Sequence, residues 1–150
     1  MADRTIPHRC EALVALLGAD KVLLPGSTGY DASQSSYFSP QAAAVHPACF
    51  VTPQAVPDVS AVVKSLTSSD NGGPCNFAVR AGGHMWFANA SSAPGGITIG
   101  LRGLNSVDLS ADKSSVSVGT GATWDAVYDK LEPPGPERRR PDPRGRDLLL

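Results

Sequence analysis

The residues of this chain best suited to chemistry stand together in Arg80-Ala81-Gly82-Gly83-His84. Two adjacent residues without Cβ let a backbone take positive φ and approach a ligand closely, so successive N–H groups can line one concavity and bind an anion. A diphosphate is the natural guest for such a nest. His84 ends the run with an imidazole that can hydrogen-bond, coordinate or attack an electrophile. Paired glycines after a strand also make plain tight turns, so on these residues alone the turn and the anion site stand side by side. His8 and His46 have no ligand-type partners at metal-site spacing and are read as ordinary surface histidines.

An element must hold that run in place. Asn76 to Arg80 reads as a short strand, with Phe77 and Val79 as its aromatic and β-branched members and the turn-rich Asp70-Asn71-Gly72-Gly73-Pro74 before it. Ala48 to Thr52 reads as an earlier strand closed by Pro53, which lacks the N–H a continued ladder needs. Between them Val59, Val62, Val63 and Leu66 recur with helical period, and Pro57 and Asp58 suit a first turn. Strand, helix, strand makes a βαβ unit, and Gly82-Gly83 then lies beyond the carboxyl end of a parallel strand, where open α/β sheets bind ligands.

Near the N-terminus, Cys10, Leu13, Val14 and Leu17 form one helical stripe stopped by Gly18. Glu11 and the following Asp20-Lys21 favour this amphipathic helix over a secretory leader for the run from Ala12 to Leu17. From Tyr30 to Ser39 the chain is polar with aromatic anchors, and we expect an extended segment that packs onto the domain. After Gly96 the expected pattern is a β meander: Ile97-Thr98-Ile99, Val107-Asp108-Leu109, then Ser115 to Val118. Thr123 is placed to cap a last helix whose stripe is Trp124, Val127, Tyr128 and Leu131, with Trp124 assigned to the core.

The 150 residues carry a net charge of −1. The first 132 are mildly acidic and present no basic surface for nucleic acid, and no run is long and apolar enough to cross a bilayer, so neither partner is expected. The three cysteines, Cys10, Cys49 and Cys75, admit three disulfide pairings. A Cys10–Cys75 bond would pin the first helix beside the Phe77 strand, and three buried thiols are the equal alternative. Asn89-Ala90-Ser91 is a glycosylation sequon, meaningful only in a secreted chain.

Arg80-x-Gly-Gly-His84, Gly95-Gly96-Ile97-Thr98-Ile99, Leu104-Asn105-Ser106-Val107, the stretch from Val116 to Trp124 and Val127-Tyr128-x-x-Leu131 together resemble the FAD-linked oxidase family with a PCMH-type, vanillyl-alcohol-oxidase-like flavin domain. Within it the chain is most similar to the fungal berberine-bridge-enzyme-like oxidoreductases, over roughly Cys10 to Leu131. The resemblance implies an α+β fold: a small βαβ subdomain, the meander and a helix. It implies FAD as cofactor and a small-molecule substrate. The Arg80, Ala81, Gly82, Gly83, His84 turn becomes the diphosphate loop, with Met85 next along it and Gly121 as a further cofactor contact. His84 stands where many members bond covalently to the flavin.

The expected organisation is therefore a helix and extended segment over 1–45, a partial flavin domain over 46–132, and a tail over 133–150. That tail holds Pro133, Pro134, Pro136, Pro141 and Pro143 among Arg138, Arg139, Arg140, Arg144 and Arg146, and such a composition cannot bury enough surface to order itself. Family members continue here into a glycine-rich flavin segment and a substrate domain bearing the catalytic base. We expect a fragment, inactive alone, with a shifted reading frame or gene-model boundary near residue 132. The rival reading is a nucleotide- or phosphate-binding module without catalysis.

Overall fold

The computed structural model describes residues 5–68 and 75–132. The turn cluster at 70–74 and the tail at 133–150 lie outside the described residues. The first helix, α1 (Thr5–Leu17), buries Cys10 and Leu13 and packs Val14 and Leu17 against the same cluster. Gly18 ends it at φ 100°, a left-handed turn that suits glycine, with its N–H donating to Val14 O at 2.9 Å. A short strand β1 (Val22–Leu23) follows.

The segment expected to be extended is helical in two pieces, α2 (Thr28–Ser35) and α3 (Pro40–Ala43). No apolar stripe announces either one. Their ends do: Ser27 Oγ accepts from Tyr30 N, Ser39 Oγ accepts from Ala42 N, and Pro40 occupies the first turn of α3. Tyr30 and Tyr37 then carry the burial, stacking around Phe50 with Ala42. Tyr30 meets Phe50 edge-on at 5.1 Å between centroids, and its hydroxyl donates to Pro47 O at 2.7 Å.

Strands β2 (Cys49–Val51), β3 (Phe77–Arg80) and β4 (Ile97–Gly100) join β1 in one sheet of order β1-β2-β4-β3. β2 and β3 are linked through α4 (Val56–Thr67) and both run parallel to β4, which sits between them in the registers Phe50↔Thr98 and Ala78↔Thr98. β4 is thus the sheet's central strand rather than the first strand of a meander. Ile97, Thr98 and Ile99 are all fully buried. Thr98 tolerates this because its hydroxyl lies 3.4 Å from Ser92 Oγ and 3.4 Å from Ala93 N. Only the last two strands, β5 (Val107–Leu109) and β6 (Val116–Val118), pair as the expected antiparallel hairpin, and α5 (Trp124–Leu131) follows them.

One face of the sheet, with Cys49, Val51, Ile97 and Ile99, packs on α1 and on Val62 and Leu66 of α4. Phe50 points to the other face and meets α2 and α3. The first 45 residues therefore share a core with the sheet. Full burial of each Leu or Ile side chain there contributes about 1.5–3 kcal/mol. The disulfide joins Cys10 to Cys49 and staples α1 to β2, which is one of the three pairings left open and is neither the Cys10–Cys75 bond nor the set of free thiols weighed above. Cys75 instead flanks the same cluster, half-buried, with its Sγ 3.6 Å from Asn76 O. At the start of α4, Asp58 accepts from Gln54 N and from Lys21 Nζ at 2.9 Å, and these bonds, the backbone one foremost, hold its carboxyl below the usual carboxylate value.

Candidate cofactor site

β3 delivers the expected turn at its carboxyl end, and the first residue of that turn faces inward. Arg80 is buried. Its Nη1 donates to Ser33 O at 2.8 Å, and its Nη2 to Ser36 O at 2.8 Å and to Ser36 Oγ at 3.0 Å. These acceptors end α2, where helix carbonyls lack intrahelical partners and a cation is favoured. The guanidinium also lies flat over Tyr37, 3.6 Å from the ring centroid. Burial, foremost among the causes, pushes its pKa below the ordinary arginine value. An arginine keeps its charge under such a shift. Arg80 is therefore a strut that ties the turn to α2.

The two glycines divide the work. Gly83 is buried at φ 67°, and a Cβ there would come 2.7 Å from Arg80 Nε, so this glycine exists to let the chain fold over the guanidinium. Gly82 has open space where a Cβ would stand. Among the described residues, no backbone carbonyl accepts from the amides of Gly82, Gly83 or His84.

The open side is a cavity of about 620 Å³ lined by Ala81, Gly82, His84, Arg102 and, across from them, Thr120, Ala122 and the first residues of α5. Its size falls within the range of about 300–1,000 Å³ usual for small-molecule sites. Arg102 comes from the 3-10 turn after β4 and donates from Nη2 to Gly82 O at 3.0 Å, placing a cation beside the glycine turn. Thr123 caps α5, accepting from Ala126 N at 3.4 Å, so the positive end of that helix also faces the cavity. Amides, a guanidinium, two threonine hydroxyls and a helix N-terminus form a donor set that fits a diphosphate. Asp125 on the opposite wall is the one carboxylate in the lining.

His84 is exposed into this cavity and stacks on Phe38, with 5.2 Å between centroids and an interplanar angle of 11°. Phe38 itself is 70% exposed. Met85 is half-exposed beside Trp86 and Phe87 and is outside the cavity lining. Gly121 is also outside it: a Cβ there would overlap the Leu101 carbonyl, and its N–H donates to Leu104 O at 2.9 Å. Close backbone packing explains that glycine, while its neighbours Thr120 and Ala122 reach the cavity. Thr120 also borders a second hollow of about 370 Å³ lined by Gln54, Val56 and the 103–106 segment.

Trp124 corrects an expectation. Assigned to the core from the α5 stripe, it is 71% exposed and lines the cavity, and Val127 alone of that stripe is buried. Arg102, Thr120, Thr123 and Phe38 were not singled out as site residues. Arg102 follows β4, Thr120 and Thr123 stand in the β6–α5 connection and Phe38 lies between α2 and α3, so no local spacing connects them to the glycine turn.

Comparison with known proteins gives the family and the fold. The model of the FAD binding domain family matches residues 47–135, and the chain belongs to that family, whose cofactor is FAD. An FAD-dependent monooxygenase from Cercospora beticola, CTB5, is 37% identical over 125 residues, covering 82% of this chain and 24% of the relative. The chain thus spans about a quarter of the length of the curated relatives it matches. An oligopeptidase from Diaporthe leptostromiformis, PhomG', is 49% identical over 96 residues, which cover 63% of this chain but 8% of that protein. Among solved structures, a berberine-bridge-enzyme-like protein, number 28, from Arabidopsis thaliana superposes with a TM-score of 0.62 at 21% identity, covering 83% of this chain and 24% of that one. That likeness defines the fold: the described residues have the architecture of the first part of a PCMH-type flavin domain. Among the described residues no helix is long and apolar enough to cross a membrane.

Proposed function

We propose that this chain holds the diphosphate of FAD on the Ala81-Gly82-Gly83-His84 turn, and that it forms the first part of a flavin-dependent oxidoreductase acting on a small molecule. FAD, when bound, supplies the two-electron acceptor for substrate oxidation. The chain's own contribution is binding and orientation. Gly82 brings open amides to the anion, Arg102 and the α5 N-terminus balance its charge, and Thr120 and Thr123 add hydroxyls. Arg80, Gly83 and Gly121 hold the frame, and Met85 follows His84 in the chain, half-exposed. His84, stacked on Phe38, is the candidate for a covalent tether. Nucleic acid and membrane are not among its proposed partners.

The observation that carries this reading is the meeting of Gly82, His84 and Arg102 in one cavity. Reconstitution with FAD, followed by acid precipitation, tests it. A yellow precipitate from the wild type and a colourless one from His84→Ala support a tethered flavin. Protein that binds pyrophosphate but no flavin before precipitation contradicts the oxidoreductase reading and leaves a phosphate-binding module.

A further inference from the structure

We infer that Asn89 is an acceptor for an N-linked glycan. Asn89-Ala90-Ser91 satisfies the acceptor pattern, with Ala90 rather than proline in the middle. Pattern alone says little, and three features of the fold add to it. Asn89 is exposed at φ 67° in the turn that follows Trp86 and Phe87, so a large substituent on its amide meets solvent rather than protein. Ser91, two residues on, is buried, and its Oγ has no hydrogen-bond partner. An orphaned buried hydroxyl costs the fold stability that an alanine methyl would not. No protein group among the described residues bonds this hydroxyl, whereas the acceptor pattern requires it.

The third feature points to an oxidising compartment. The Cys10–Cys49 disulfide sits in the centre of the core, with both residues almost fully buried, as a structural bond does. Such bonds form and persist in oxidising lumens. Glycan transfer to asparagine takes place in the same lumen, so disulfide and sequon, far apart in sequence, call for one route.

The transfer is a substitution without redox change. Asn89 Nδ2 bonds to C1 of an oligosaccharide carried on a polyisoprenyl diphosphate. The C1–oxygen bond to the diphosphate breaks, the diphosphate leaves with the electron pair, and Nδ2 gives up one proton. The acceptor hydroxyl must be reachable at that moment, and in the folded chain the Tyr37 hydroxyl donates to Ser91 O at 3.0 Å and closes the loop over it. Transfer therefore precedes docking of Tyr37. Once attached, the glycan stands beside Trp86 and Phe87, an exposed aromatic pair packed edge-on at 5.9 Å between centroids, and shields them from solvent and from other chains.

The full 150-residue chain, given a secretion leader and expressed in yeast, tests this. Treatment with peptide N-glycosidase in heavy-oxygen water should collapse a gel shift and convert Asn89 to labelled Asp. Asn89→Gln and Ser91→Ala should each abolish the shift. After deglycosylation, Ser91→Ala should melt no lower than the wild type, which separates loss of the acceptor from loss of the fold. Secreted chain with the Cys10–Cys49 bond formed and Asn89 unmodified would overturn the inference. So would Cys10 and Cys49 recovered as thiols, or a glycan that persists in Ser91→Ala.

Discussion

The sheet with α1 and α4 and the hairpin with α5 are built from similar apolar residues and treat them differently. In the first, Leu13, Val62, Leu66, Ile97 and Ile99 are wholly buried and a disulfide crosses the layer. In the second, Leu109, Val118, Trp124, Tyr128 and Leu131 are all substantially exposed. After β6, Gly119 N donates to Ser106 O at 2.7 Å and Gly121 N to Leu104 O at 2.9 Å, while α5 buries Val127. One half carries its own core, and the other presents one wall of a cavity whose other wall is the glycine turn. Burial is therefore concentrated in the first half, while the cavity takes one wall from each.

The sharpest way to break this contrast is truncation in the two halves. Leu66→Ala should cost about 2–5 kcal/mol in denaturant unfolding, whereas Leu131→Ala on the exposed stripe should change stability by no more than about 0.5 kcal/mol. Comparable losses at both positions would show that the halves share one core. Next in size, replacing Cys10 and Cys49 together by Ser should cost about 2–4 kcal/mol, with Cys75→Ser well below that in the same assay. Arg80→Lys comes third. A lysine cannot serve Ser33 and Ser36 as a fork or lie flat on Tyr37, and a loss of about 1–3 kcal/mol is expected.

The smallest effect lies in the hairpin turn. Hydrogen bonds from Ser110 and then Ser114 hold the Asp112 carboxyl down at about 2, below the ordinary aspartate value of 3.8. A folded value below the unfolded one means that the stabilisation is complete above the unfolded value. It is then lost as pH falls through about 2. Amide exchange at Ser114 and Ser115 should quicken over that acid window while the Ile97–Ile99 amides stay protected, and Asp112→Asn should remove the pH dependence.

Helices α1, α4 and α5 and strands β2 and β3 were legible because their apolar periods and their stops are local: the Cys10 to Leu17 stripe before Gly18, the Thr123 cap, the Pro57-Asp58 first turn. α2 was not, since its helix rests on a serine cap and on two tyrosines that are buried by Phe50, a distant residue. β4 was legible as a strand but not in its central place, because what buries Thr98 is Ser92 and the sheet on either side. The disulfide was undetermined by spacing alone. In the site, Gly82 and His84 could be read from adjacent letters. Arg102 and Trp124 reach the same cavity, and Phe38 reaches His84, from other parts of the chain, and only the fold brings them there.

The central claim is that the open amides after β3 hold a diphosphate. Amide NMR of the 150-residue chain, titrated with FAD and separately with pyrophosphate, tests it most directly. The account predicts saturable shifts at Gly82, Gly83 and His84 with both ligands, absent in Gly82→Asp, whose carboxylate would fill the open space with negative charge. Binding that leaves those three amides unmoved, or that survives Gly82→Asp undiminished, would contradict it.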